Sequence, residues 1–273
     1  YFNFSGSAGF ALILKNKNFL FVDGRYTIQA RYQSGKNFKV ITMPGKFPKD
    51  VLKPKKKIVL GFDPKLHTEK QLNFFFKIKN VDIKPINKNL VDLVWSNKPK
   101  EIVKPFFSLS EKNAGATTEK KIGEIKNVLL KNKIDYLLVT APENVAWTLN
   151  IRGRDTSYSP IPNARLLISK KGKIALFTNP KKIVKIKKIL RNKIFIHNEI
   201  QIDKILNHLS RKNILLDNLS CSFYYKKILS KKNKILEKID PIHFLKSIKN
   251  NTEIKNMEKS HVTDGVALTK FLF

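Results

Sequence analysis

A single cysteine, Cys221, stands among 273 residues. One thiol cannot close an intramolecular disulfide and cannot furnish a Cys-based zinc site. Cys221 reads as a small, partly buried apolar residue. Arginine is scarce as well. Only seven of the 54 basic residues are Arg, and the other 47 are Lys. Base and phosphate readers favour the bidentate guanidinium fork, so this balance argues against specific nucleic-acid recognition. No apolar run approaches the roughly 18 residues of a transmembrane helix. The chain also lacks an H-E-x-x-H pair, a Gly-rich phosphate loop and a Ser or Cys triad signature.

What is present is charge, a repeat and a set of spaced motifs. The net charge is +33, with 42% hydrophobic residues, enough for packed cores. Lys runs at 55–57 and 181–188 fall at turns or alternate with apolar residues. They read as a solvated basic surface, with weak, salt-sensitive polyanion binding expected as a side effect. Residues 1–7 (YFNFSGS) and 148–154 (TLNIRGR) fit one frame: apolar, Asn, apolar, any residue, Gly. Each copy leads into two strand-like runs. Phe10–Leu14 and Phe19–Val22 follow the first, and Ala164–Ile168 and Ile174–Phe177 the second. A spacing this wide points to two domains of one α/β fold rather than a solenoid, whose period would be 20–50 residues.

Local signals give the elements. Strands are expected near 38–42, 57–62, 136–140 and 214–217, with one or two more in 81–95. Helices are expected near 26–34, after Thr68, after Thr117, from Pro142, over 180–191 and 199–210, over 223–229, and over 231–236. Asn250 followed by Glu253 makes a capping-box pattern. Ile254, Met257, His261, Leu268 and Phe271 then fall roughly on one helical face. Residues 107–117 read as a linker. The helix–strand alternation around 118–140 argues a mixed or parallel sheet.

Five ordered motifs carry a family resemblance. Phe4-Ser5-Gly6-Ser7-Ala8-Gly9 with Asp23-Gly24-Arg25-Tyr26 comes first. Gly61-Phe62-Asp63-Pro64-Lys65-Leu66-His67 is the second. Asn89-Leu90-Val91-Asp92 with Trp95 and Pro99 is the third. The fourth runs Ala146-Trp147-Thr148-Leu149-Asn150-Ile151-Arg152-Gly153-Arg154-Asp155, and the fifth is Lys249-Asn250 to Glu253 with His261 and Asp264-Gly265-Val266-Ala267. Together they resemble the Xaa-Pro aminopeptidases (aminopeptidase P), within the creatinase/prolidase-like metallopeptidases. Arg154 stands where that pattern usually has Ser.

The resemblance implies an α/β architecture of two tandem creatinase N-terminal-like (ribonuclease H-like) mixed-sheet domains. They would occupy residues 1–106 and 118–240, joined by the linker 107–117. Residues 241–273 would then begin a pita-bread catalytic domain. The first domain is expected to lack its own first strand and helix, and the chain is expected to be an internal fragment of a longer protein. By the same resemblance the parent is a cytoplasmic homodimer with two manganese ions. It would remove the N-terminal residue from peptides with proline in second position. The family's metal ligands, two Asp, one His and two Glu, would lie beyond Phe273. No catalytic or metal-binding residue is therefore expected in this chain, and no membrane or specific nucleic-acid partner.

Two places could still carry chemistry. His261 and Asp264 stand at i and i+3 on a helix, but two ligands make no octahedral oxygen-rich site. His67 and Glu69, and the lone His197, His208 and His243, offer less. The charged loop Arg152, Arg154, Asp155 reads either as an Arg–Asp pair pinning a turn or as a wall of the substrate cleft, with an Arg to take a peptide carbonyl or carboxylate. Two other function classes are a pseudo-peptidase that binds partners without metal (histone-chaperone-like) and a basic nucleic-acid-binding module.

Overall fold

In a computed structural model, residues 3–99, 103–190 and 194–273 are described. The chain divides into two compact units, Tyr1–Asn89 and Leu90–Phe273.

The first unit opens with β1 (Gly9–Ile13) and β2 (Asn18–Asp23), an antiparallel pair. Asp23 then caps a 3-10 turn over Gly24–Tyr26, its carboxylate accepting from Arg25 N at 3.0 Å. α1 (Thr27–Ser34) crosses to β3 (Lys39–Met43), which lies parallel to β2. α2 (Pro48–Val51) leads to β4 (Ile58–Phe62). α3 (Glu69–Phe76) carries the chain to β5 (Val81–Pro85), parallel to β4. Thr68 caps α3 as the sequence suggested, accepting from Gln71 N at 3.1 Å. The strands form two separate sheets, β1-β2-β3 and β4-β5.

The second unit contains α4 (Leu90–Val94), β6 (Phe107–Ser108), α5 (Glu111–Ala114) and α6 (Thr118–Lys131). The expected linker over 107–117 is thus structured: β6 pairs with β8 (Ile151–Arg152), and α5 ends at Gly115 with φ +67. A Cβ at Gly115 would collide with Asn250, so the turn needs glycine twice over. β7 (Tyr136–Val139) and α7 (Pro142–Leu149) precede β8. β9 (Arg165–Ser169), β10 (Ile174–Phe177) and β11 (Ile194–His197) follow. α8 (Ile202–His208), β12 (Asn213–Leu216), α9 (Phe223–Ser230) and β13 (Lys234–Glu237) complete the sheet region. α10 (Pro241–Ser247) and α11 (Asn251–Leu272) close the chain.

One sheet of order β11-β10-β9-β7-β12-β13 spans this unit. β7 sits between β9, antiparallel, and β12, parallel. Leu137, Leu138 and Val139 are wholly buried because both faces are covered. One face packs on α6 and α7 through Ile122, Ile125, Leu129, Val145 and Leu149. The other packs on α8 and α9 through Ile202, Leu206, Ile228 and Leu229. Cys221 lies in that second layer, and burial pushes its thiol pKa up to about 12. It is an inert core residue.

Two expectations need correction. Residues 231–236 are not helical, since Lys234–Glu237 form β13 alongside β12. The short apolar pair Ile235-Leu236 fits either period, and the open place beside β12 decides. Residues 180–190 form a 3-10 turn, Pro180–Ile183, and further turns rather than an α-helix. Residue 191, also in that expected helix, lies outside the described residues. In 81–95 the one or two strands expected are one, β5, followed by the helix α4.

The strand repeat is real but shifted by one residue from the alignment of apolar runs. Asn179 caps the 3-10 turn after β10 as Asp23 does after β2, accepting from Lys181 N at 3.0 Å. Matching the caps pairs Leu20, Phe21 and Val22 with Leu176, Phe177 and Thr178, and all six residues are fully buried. A run of apolar letters does not fix the pleat phase, whereas a cap does.

Leu138 at the centre of the sheet and Val59 on β4 should respond oppositely to truncation. Leu138→Ala should cost about 2–5 kcal/mol in urea unfolding. Val59, 60% exposed, should lose no more than about 0.5 kcal/mol as Ala.

Candidate functional site

The second Asn-x-x-Gly frame begins where α7 stops. Asn150 takes the left-handed conformation (φ 51) that ends the helix. Its side chain then works in two directions. Nδ2 donates to Ala116 O at 2.8 Å, and Oδ1 accepts from Lys121 Nζ at 2.7 Å. Lys121 also donates to Trp147 O at 3.0 Å and lies over the Trp147 ring at 4.4 Å. It is only 3% exposed. Burial lowers its pKa to about 8, with Glu253 pulling the other way.

Arg152 follows on β8, held by the β6 pairing. Its Nη1 donates to Ala146 O at 3.0 Å and Ile151 O at 2.9 Å. Burial depresses the guanidinium pKa, and Glu253 opposes that shift. Glu253 is itself fixed by the α11 capping box. Its carboxylate accepts from Asn250 N at 2.9 Å, and Asn250 Oδ1 accepts from Glu253 N at 3.0 Å. Asn250 Nδ2 reaches Ala114 O at 2.9 Å, so the start of α11 is tied to α5. Gly153 closes the frame. A Cβ there would come within 2.7 Å of Pro162 Cα, so the loop needs glycine to pass.

These elements border a cavity of about 320 Å³ lined by Glu143, Trp147, Arg152, Lys246, Lys249 and Glu253, among others. A second, of about 370 Å³, shares Trp147, Arg152, Lys249 and Glu253 and reaches Lys121 and Asn150. Trp147 Nε1 is buried with no hydrogen-bond partner among the described residues. The lining shared by the two cavities presents two cations, Arg152 and Lys249, and the carboxylate of Glu253 around the Trp147 indole. It can hold a carbonyl or carboxylate against Arg152 and an amine against Glu253.

The three sequence-predicted residues part company here. Arg152 reaches both cavities. Arg154 lies over the Phe107 ring at 5.7 Å. Asp155 turns inward, with Oδ1 2.9 Å from Lys182 Nζ and Oδ2 accepting from Asn163 N at 2.6 Å. Both members of that ion pair are nearly inaccessible, at 9% and 2%. Asp155 therefore pins the loop, and its cation is Lys182 rather than an arginine. Sequence reasoning missed Lys182 and Lys121. Lys182 gave no signal. Lys121 did, since it shares a helical stripe with Ile122, Ile125 and Leu129.

His261 and Asp264 are exposed on α11. His67 pairs with Gln71 at 3.1 Å and packs edge-on to Phe62. Among the described residues no group of three or more His, Cys, Asp or Glu could hold a metal ion. Among them, too, no helix is long and apolar enough to cross a membrane.

Residues 97–253 match the model of the creatinase/prolidase N-terminal domain. The chain belongs to that family. It is also a homologue of Xaa-Pro aminopeptidases along nearly its whole length. It is 31% identical to Xaa-Pro aminopeptidase 1 of Dictyostelium discoideum, over 98% of this chain and 46% of that protein. It is 29% identical to a probable Xaa-Pro aminopeptidase P of Coprinopsis cinerea, over 98% and 47%. The crystal structure of X-prolyl aminopeptidase from Caenorhabditis elegans, described as a cytosolic enzyme with a di-nuclear active site, superposes with a TM-score of 0.88 at 25% identity. That match covers 98% of this chain and 46% of the nematode protein. The chain thus spans about half the length of the curated relatives it matches.

Two substitutions separate pinning from exposure. Asp155→Ala breaks the buried ion pair with Lys182 by removing its carboxylate and should cost about 3–5 kcal/mol in chemical unfolding. Arg154→Ala should cost no more than about 1 kcal/mol.

Lys121 should leave a pH signature. Its folded pKa, about 8, lies below the ordinary lysine value of 10.5. Between the two the unfolded chain holds more protons, so this group's destabilisation, complete below pH 8, is relieved as pH rises to 10.5. Relative to Lys121→Met, the chain should gain melting temperature from pH 8 to 10. A constant difference would show that Lys121 does not titrate there.

Proposed function

We propose that this chain forms the two non-catalytic domains of a cytoplasmic, homodimeric Xaa-Pro aminopeptidase. In this reading residues 1–106 and 118–240 are creatinase N-terminal-like domains joined through 107–117. Residues 241–273 open the pita-bread catalytic domain. The parent enzyme removes the N-terminal residue from peptides with proline in second position. The observation that carries the reading is the nematode match, which extends over 98% of this chain at a TM-score of 0.88.

In such an enzyme two divalent ions, manganese by family resemblance, would supply the activated hydroxide. The described residues offer no ligand set for them. No step is assigned to this chain beyond holding and aligning substrate, and the chain alone is inactive. Arg152 is the residue placed to do so. It is half-buried and borders a cavity walled by α7 and the first turn of α11. A partly desolvated guanidinium would make a stronger hydrogen bond to a peptide carbonyl or carboxylate than a solvated one. Arg154 and Asp155 would support that wall from outside and beneath.

In the longer enzyme, Arg152→Ala should lower kcat/KM for an Xaa-Pro peptide by about 1.5–3 kcal/mol, with a smaller loss of stability. Unchanged kcat/KM in the folded fraction, with a sharply lower melting temperature, would make Arg152 a turn-pinning residue and overturn its role in substrate binding.

A further inference from the structure

Lys121 is a buried amine without a counter-ion. It stands on the apolar stripe of α6 and is 3% exposed. The oxygens that hold its Nζ are both neutral, Trp147 O at 3.0 Å and Asn150 Oδ1 at 2.7 Å. Among the described residues it forms no ion pair. Its charged surroundings are Arg152, Lys249 and Glu253 on the shared cavity, and Glu124 on its own helix. The Trp147 ring at 4.4 Å favours the ammonium, whereas burial and Arg152 oppose it. The opposition prevails, and the pKa falls to about 8. At neutral pH Lys121 is then the neutral amine on the order of a hundred times more often than an ordinary lysine. A desolvated amine beside other cations is a nucleophile.

The surroundings select the electrophile. The cavity that borders Lys121 measures about 370 Å³, and Leu109, Trp147 and Met257 give it apolar wall. An amine so nearly enclosed by apolar and cationic groups is reached most easily by a small, uncharged reagent. The product, in turn, should carry negative charge. The lining holds three cations, Lys121, Arg152 and Lys249, against the one carboxylate of Glu253. An uncharged adduct on Lys121 would still leave an excess of positive charge. An anionic adduct would set two carboxylates against two cations. Donors for it are at hand. Arg152 commits only Nη1 to the carbonyls of Ala146 and Ile151, and its Nε and Nη2 make no hydrogen bond among the described residues. Buried charges are stable when paired and hydrogen-bonded, and costly otherwise.

We propose that Lys121 is a carbamylation site, taking carbon dioxide as a carbamate whose carboxylate is held by Arg152 and Lys249. The Nζ lone pair of the neutral amine adds to the carbon of CO2 and forms a C–N bond. One C=O electron pair moves onto oxygen, and one Nζ proton leaves to solvent. No oxidant, reductant or further reagent is needed. The carbamate nitrogen keeps one N–H, which stays on Asn150 Oδ1, so α6 remains tied to the end of α7. Trp147 O loses the Lys121 donor but keeps Asn150 N, at 3.4 Å. The site does not depend on Arg152 binding a peptide.

The test is trapping. Residues 1–273 are equilibrated with isotope-labelled CO2 and bicarbonate near the pKa of Lys121, about 8. A trialkyloxonium salt then alkylates any carbamate in place, and mass spectrometry of the digest locates it. Lys121 should carry about tenfold more label than the median lysine of the chain. Arg152→Ala should cut the Lys121 adduct by about fivefold or more. In a second measurement, raising CO2 at constant pH and ionic strength should raise the melting temperature of the chain and leave that of Lys121→Met unchanged. Unlabelled Lys121, label spread evenly over the lysines, or an adduct undiminished by Arg152→Ala would overturn the proposal. A CO2-dependent rise in melting temperature that survives Lys121→Met would do the same.

Discussion

The fold depends on a strand that has water on neither side. β7 takes hydrogen bonds from β9 and β12 and is covered on both faces, so Leu137, Leu138 and Val139 are sealed. Burying three large apolar side chains completely favours the fold by several kcal/mol. It also fixes what lies beyond the strand. The chain leaves β7 through Ala141 and Pro142 directly into α7, whose end sets the position of Asn150. Among the described residues the first unit has two small sheets, β1-β2-β3 and β4-β5, with Ile13 and Val59 exposed.

From that frame the candidate site follows in short steps. Asn150 ends α7 and joins it to α6 through Lys121 and to the preceding loop through Ala116. β8 then carries Arg152 to the cavity, where Glu253 at the start of α11 faces it. Each cation that shapes the loop is partly or wholly withdrawn from water. Withdrawal strengthens a charge's interactions and raises the cost of leaving it unpaired. Lys121 meets that cost with Asn150 and the Trp147 carbonyl, and Lys182 meets it with Asp155. Arg152, whose hydrogen bonds are to two carbonyls, is the member of the group best placed to contact a ligand.

Much of this was legible in the residues. Thr68 and Asn250 were readable as helix caps, and each accepts the expected backbone bond. The Asn-x-x-Gly frame precedes an antiparallel strand pair in each unit, β1-β2 and β9-β10. Its charged copy does lie at a cavity. Lys182 was not legible, because a lysine in a Lys-rich run reads as solvated surface, and only the tertiary fold buries it. The phase of the strand repeat was missed because apolar runs begin and end without regard to pleat. The strand at 234–237 was missed because four residues carry too little periodicity to separate strand from helix. Side-chain capping is a local interaction and shows in sequence, whereas ion-pair partners and sheet neighbours are chosen across long chain separations.

In the proposed reading this chain supplies scaffolding and substrate alignment, and the metal ligands come from elsewhere. Titration of residues 1–273 with manganese in a calorimeter tests that division most directly. Weak, non-stoichiometric heat is predicted, because the described residues bring no three metal-ligating side chains together. One or two ions bound per chain with micromolar affinity would contradict it.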